Sequence, residues 1–281
     1  MPSFDTPAPI STTAQLQAGS IRFSAADRTD TVVDVRPRDP KRDQDVRAVE
    51  QTEVTYTSGV LTVRTPKQRN LFGRPGIVDV TVELPTGSAV EVTGPWVQVL
   101  GEGRLGEVRV KSSAGDVRLE ETGPLRLAAS HGSINVDRVE GKAEISTSSG
   151  SLRVGVADGP AVLKNSHGTT SVGAALGELR VSGANGDIEI RRAEASVVAT
   201  TAHGTLRVND VARGDVQLET SYGSIEVGVR RGTAAWLDAS SGSGQVRNAL
   251  TASESPAEAE ETVSIRARTR HGNIDVLRAR G

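Results

Sequence analysis

A glycine recurs through the C-terminal two thirds of the chain, at Gly115, Gly132, Gly150, Gly168, Gly186, Gly204, Gly223, Gly242 and Gly272, with successive spacings of 17, 18, 18, 18, 18, 19, 19 and 30 residues. A fixed period of this length marks an array of equivalent structural units. Around each glycine, positions −7, −5 and +4 are apolar in all nine units, from Val108, Val110 and Leu119 to Ile265, Ala267 and Val276. Position +2 is apolar in seven of them, Thr170 and Gly244 being the exceptions. Each unit therefore holds two short alternating runs, the mark of a strand with one buried face. A left-handed hexapeptide helix would show an apolar residue every six positions, and a leucine-rich repeat a longer unit with a fixed asparagine. Neither pattern fits. The chain reads as all-β, a parallel, β-helix-like β-solenoid of about nine to ten two-strand coils stacked about 4.8 Å apart.

The details of the unit agree with that reading. Aromatic residues make up only 2% of the chain, so the core must come from Val, Leu, Ile and Ala, which suits thin regular layers. Position −3 is always small: Ser112, Ala129, Thr147, Asn165, Gly183, Thr201, Thr220, Ala239 and Thr269. There a hydroxyl can bond to backbone along the stack. The glycine supplies the positive φ of a tight turn. All four histidines, His131, His167, His203 and His271, precede one of these glycines and read as turn residues. His131, His167 and His203 recur every second coil, about 9.5 Å apart, too far to share one metal ion. No catalytic residue, metal ligand or cofactor site is assigned.

Residues 1–90 lack the rhythm and predict an N-terminal antiparallel β cap over a solenoid of residues 91–281. Within the cap, "YTSGVLTV" predicts a hairpin turning at Ser58 and Gly59, and "DPKRDQDVRAVEQ" a loop or short helix. The basic loop "PKQRNLFGRPG" carries Phe72 as a candidate docking tip. "VTGPWVQVLGEG" reads as an atypical first coil, with Pro95 in the glycine place and Val97 and Val99 at +2 and +4. The long last spacing reads as an acidic loop insertion at about 248–262. The arginine-rich final coil either deters pairing at the solenoid end or meets a second copy there.

Net charge is −2, which gives no global field for nucleic acid or anionic lipid. Cysteine is absent, which excludes disulfides, thiolate nucleophiles and cysteine-ligated metal, and fits a reducing compartment. With no signal-like start and no apolar run of about 18 residues, the expectation is a cytoplasmic protein without direct membrane insertion. Outward positions −6 and −4 carry seven basic residues against three acidic ones. Arg109, Arg126 and Arg180 on that face, with the outward Trp236, form the candidate interaction surface for another protein or a second copy of the chain. Alternatives are a carbohydrate-binding or carbohydrate-active β-helix protein and a self-assembling structural protein. An enzyme is not expected: outward carboxylates such as Glu189 and Glu226 are separated by the Arg207 coil, and no phosphate loop, Ser-His-Asp order or HExxH occurs.

The units "TSSGSLRV", "TAHGTLRV" and "TSYGSIEV", the preceding "VTVELPTGSAVEV" and the stretch "GTAAWLDASSGSGQVRNAL" resemble the adhesin-type β-strand-repeat family called toastrack. The resemblance runs from about residue 15 onward. It implies a β-helix-like stack, a bacterial envelope or stress-response context and no established catalytic residues. The chain looks more like the soluble actinobacterial members, a resemblance that implies a link to transport or regulatory operons.

Overall fold

The computed structural model describes residues 1–66, 75–250 and 261–279. Among them the chain is all-β apart from one eight-residue helix, and it divides into two compact units, Met1–Glu140 and Gly141–Gly281.

The first unit begins with β1 (Ser3–Asp5), β2 (Ser11–Gln15), β3 (Ala18–Ala26), β4 (Asp30–Pro37), helix α1 (Asp43–Glu50), β5 (Glu53–Thr57) and β6 (Val60–Arg64). It continues with β7 (Val78–Pro85), the long β8 (Ala89–Leu105), β9 (Val108–Ala114), β10 (Val117–Thr122), β11 (Leu125–His131) and β12 (Ile134–Val139). Two parallel ladders run through it. One is ordered β6, β2, β8, β9, β11 and the other β7, β3, β8, β10, β12, with β8 serving both. The register stacks like on like: Val108 beside Leu125, Val117 beside Ile134, Leu119 beside Val136, each at most 2% exposed.

Within residues 1–90, antiparallel pairing is confined to β1 on β4, β4 on β7 and β5 on β6. The strands β2, β3, β6 and β7 are windings of the parallel stack, because alternation specifies a strand but not the direction of its neighbour. The predicted hairpin is present. Ser58 (φ 51°) and Gly59 (φ 79°) both take the left-handed conformation that a two-residue turn requires. The polar stretch before it is α1, whose Asp45 is buried and accepts hydrogen bonds from the N–H groups of Ile77 (3.0 Å) and Asp39 (3.2 Å).

The chain's first winding, β2 and β3, is not the outermost. It lies between β8 and the later pair β6 and β7. Gly19 (φ 137°) holds its turn, with Ile21 and Phe23 at +2 and +4, both fully buried. The 18-residue period does not extend to this coil because its neighbours in space are distant in sequence. In β8 the glycine place belongs to Val97, not Pro95. Trp96 pairs with Ala114, which brings Val99 and Gly101 to the +2 and +4 positions.

The second unit contains β13 (Ala143–Ser149), β14 (Leu152–Ala157), β15 (Ala161–His167), β16 (Thr170–Ala175), β17 (Leu179–Asn185), β18 (Ile188–Ala193) and β19 (Val197–His203). It ends with β20 (Leu206–Val211), β21 (Gly214–Tyr222), β22 (Ile225–Val229), β23 (Thr233–Ser243), β24 (Val246–Asn248), β25 (Glu261–His271) and β26 (Ile274–Arg278). Its ladders run β13, β15, β17, β19, β21, β25, β23 and β14, β16, β18, β20, β22, β26, β24, all parallel.

Two expectations change here. The arginine-rich final coil is not an end: β25 and β26 are held between earlier windings on both sides, and β23 with β24 lies beyond them. The eighth turn glycine is Gly244 (φ 153°) and not Gly242, because Ser243 pairs with His271 and so aligns Gly244 with Gly272. The long last spacing thus spans a step outward by one winding and a return, besides a connection whose residues 251–260 lie outside the described ones. Tying a terminal strand down on both sides suppresses the fraying to which chain ends are prone.

Candidate interaction surface

The turn edge is built from three rows. Turn glycines donate their N–H to the carbonyl of the pre-glycine residue in the next coil, as in Gly168 to Asn185 (2.8 Å), Gly204 to Tyr222 (2.9 Å) and Gly223 to His271 (2.9 Å). In several coils the glycine carbonyl accepts from the −3 side chain of the next coil: Thr220 to Gly204 (3.2 Å), Thr269 to Gly223 (3.0 Å) and Ser241 to Gly272 (2.8 Å). Asn165 does the same with its amide, to Gly150 (3.0 Å). These −3 side chains tie coil to coil, whereas Ser112 bonds Ala114 of its own coil (3.0 Å) and the buried Thr147 Oγ1 has no hydrogen-bond partner among the described residues.

The pre-glycine residues project from this edge. His131, His167, His203 and His271 are exposed, and each is the last residue of its strand, β11, β15, β19 and β25, immediately before the turn glycine. In the second unit the winding order brings three rings into one stack. His203 and Tyr222 lie 5.0 Å apart at 5°, and Tyr222 and His271 lie 4.8 Å apart at 11°. Among the described residues no cluster of three or more histidines and carboxylates has metal-binding geometry. In the first unit Trp96 occupies the same row and is 57% exposed. Sequence reading missed it because it placed the turn at Pro95.

The outward residues proposed from sequence are divided between the two units. Arg109, on β9, pairs with Glu107 at 2.7 Å and stands beside Arg126 on β11. Arg180 is exposed on β17. Trp236 is 73% exposed on the outer face of β23, opposite Ser264 of β25. Phe72 lies outside the described residues.

A groove of about 770 Å³ crosses β18, β20, β22 and β26, lined among others by Glu189, Arg191, Arg207, Glu226, Gly228 and Arg278. It forms where the β20 and β22 registers shift between Val208 and Val211. Its carboxylates are engaged: Asn209 donates to Glu189 (3.3 Å) and Arg207 to Glu226 (3.1 Å). At its rim Arg230 makes two-pronged bonds with Asp210 (2.7 Å) and Glu194 (2.9 Å), and Arg192 also bonds Glu194. Hydrogen bonding to Asp210 and then Glu194 pushes the Arg230 guanidinium above its ordinary value, and the Arg230 bond chiefly holds the Glu194 carboxyl below its own. Glu194, Asp210 and Arg230 stand 16 to 36 positions apart in the sequence, with no local motif to reveal their meeting.

No described helix is long and apolar enough to cross a membrane. No curated protein matches the chain. Among solved structures, the chain is similar to a "putative adhesin" from Bacteroides fragilis NCTC 9343, at 16% identity over 98% of this chain and 95% of that one, with a TM-score of 0.36. A "putative adhesin" from Parabacteroides distasonis ATCC 8503 matches at 13% identity over 98% and 96%, TM-score 0.29. A "putative cell adhesion protein" from Clostridium sporogenes ATCC 15579 matches at 9% over 99% and 98%, TM-score 0.23. The family profile described as Toastrack DUF4097 matches residues 11–277, and the chain belongs to that family.

Proposed function

We propose that this chain is a non-catalytic interaction scaffold whose solenoid surface binds another protein. One observation carries the reading. The chain has two tryptophans, two tyrosines and three phenylalanines, and it places both tryptophans and Tyr222 on the surface, at 57%, 73% and 51% exposure. Exposed aromatics contribute nothing to a Val and Leu core, whereas Trp and Tyr dominate interface energetics. The outward arginines Arg109 and Arg126 of the first unit and Arg180 of the second add exposed basic groups suited to an acidic partner.

The family resemblance directs the search toward partners from envelope-stress or transport systems. Cytoplasmic placement belongs to the proposal and rests on the lack of cysteine; cell fractionation tests it. The experiment for the main reading is affinity capture with wild type, the Trp96→Ala, Trp236→Ala double variant and the three-arginine alanine variant. A specific partner should fall at least about ten-fold in the tryptophan variant while circular dichroism stays unchanged. Identical capture profiles for all three proteins would refute it, and so would turnover of a glycan panel followed by mass spectrometry.

A further inference from the structure

β23 is eleven residues long and, among the described residues, pairs on one side only, with β25, while β24 pairs only with β26. The core is open at this winding. Ala235, Leu237 and Ala239 are half-buried and Val246 is 44% exposed, whereas their neighbours Val263, Ile265, Ala267 and Ile274 are at most 1% exposed. The outermost winding of the first unit is treated differently. There β5 covers the free edge of β6, β4 covers that of β7, and β1 follows on β4.

Residues 233–248, "TAAWLDASSGSGQVRN", also lack the usual guards of an unpaired edge, having neither proline nor lysine. Their two charges are neutralised from inside the same sheet. Arg268 and Arg266 hold Asp238 at 2.6 and 3.6 Å, and Asp275 lies 3.8 Å from Arg247. A strand of this length with paired charges and an open core is a template for another strand.

We infer that the β23 edge is a homodimer surface, on which the β23 of a second copy pairs antiparallel across a twofold axis at Leu237. That axis sets Leu237 opposite its own counterpart and Ala235 opposite Ala239 on the inward face. On the outward face it sets Trp236 opposite Asp238 and Ala234 opposite Ser240. No like charges are directly opposed, whereas an axis one residue later would set Asp238 against itself. The pairing is isologous, so it closes at two copies and does not propagate through β23. It is independent of the scaffold reading, since a monomer could still bind another protein.

Sedimentation velocity of the full chain over a concentration series tests it, with two double variants on the outward face. Ala234→Lys with Ser240→Lys places lysine opposite lysine twice across the axis and should weaken the dimer about ten-fold. Ala234→Lys with Ser240→Glu places opposite charges there and should retain it. Circular dichroism and melting confirm that both variants fold. A strictly monomeric wild type would overturn the inference, as would equal dimerisation of the two variants. Dimerisation seen only after deletion of residues 251–260 would assign the edge to that connection and overturn it as well.

Discussion

At the scale of the residue, the turn glycines are set by two independent constraints. A Cβ on Gly186, where φ is 139°, would stand 2.1 Å from the Gly168 carbonyl oxygen and 2.6 Å from its carbon. Gly186→Ala should therefore cost more than about 2 kcal/mol, read from denaturant unfolding. Gly59 has a positive φ of 79° but nothing within 4 Å of its Cβ position. Gly59→Ala should cost only about 1 kcal/mol, the backbone part alone. The ring stack is a second residue-scale matter. Tyr222→Ala removes both ring contacts and should lower stability by about 1 kcal/mol, and the ring-proton shifts of His203 and His271 should move while those of His131 stay in place. Unmoved shifts would show that the rings do not stack in solution.

At the scale of the element, each strand contributes one inward ladder, and the charges between neighbouring strands decide how the outer face responds to pH. Glu194 directly follows β18 and is bonded to Arg230, which directly follows β22. Its carboxyl is depressed in the folded chain, so the unfolded chain binds the proton more readily. The stabilisation is therefore present above the unfolded glutamate value of about 4.3 and is lost as pH falls through the lower folded one. Thermal unfolding between about pH 6 and 3 should show a steep acid-side fall in wild type that is shallower in Glu194→Gln. Asp238, held low chiefly by its hydrogen bond from Arg268, leaves part of the slope in place. Equal slopes would mean that the Arg230 cluster does not form.

At the scale of the whole molecule, stability is a sum over neighbouring windings. The final winding in sequence is an inner one in space, which makes truncation unusually informative. A chain ending at residue 250 loses β25 and β26, the partners of both β21 and β23. Hydrogen exchange should then find residues 233–248 unprotected while residues 143–193 keep their protection. Had the windings followed chain order, β23 would have stayed docked on β21, and protection of residues 233–248 in the truncated chain would support that order instead.

The sequence alone determined the repeating unit. The period, the inward Val, Leu and Ile positions, the turn glycine and the outward place of the histidines are consequences of side-chain alternation and backbone sterics, both local. The Ser58–Gly59 hairpin was legible for the same reason. What only the tertiary structure decided is which winding lies against which. Every coil presents the same apolar ladder, so any coil can stack on any other, and local pattern carries no information on the choice. That is why the interior places of β2 and β25, the alignment of Gly244, Val97 in a glycine's position, the His203, Tyr222 and His271 stack and the Arg230 cluster stayed hidden. Each is a meeting of residues chosen by the order of stacking.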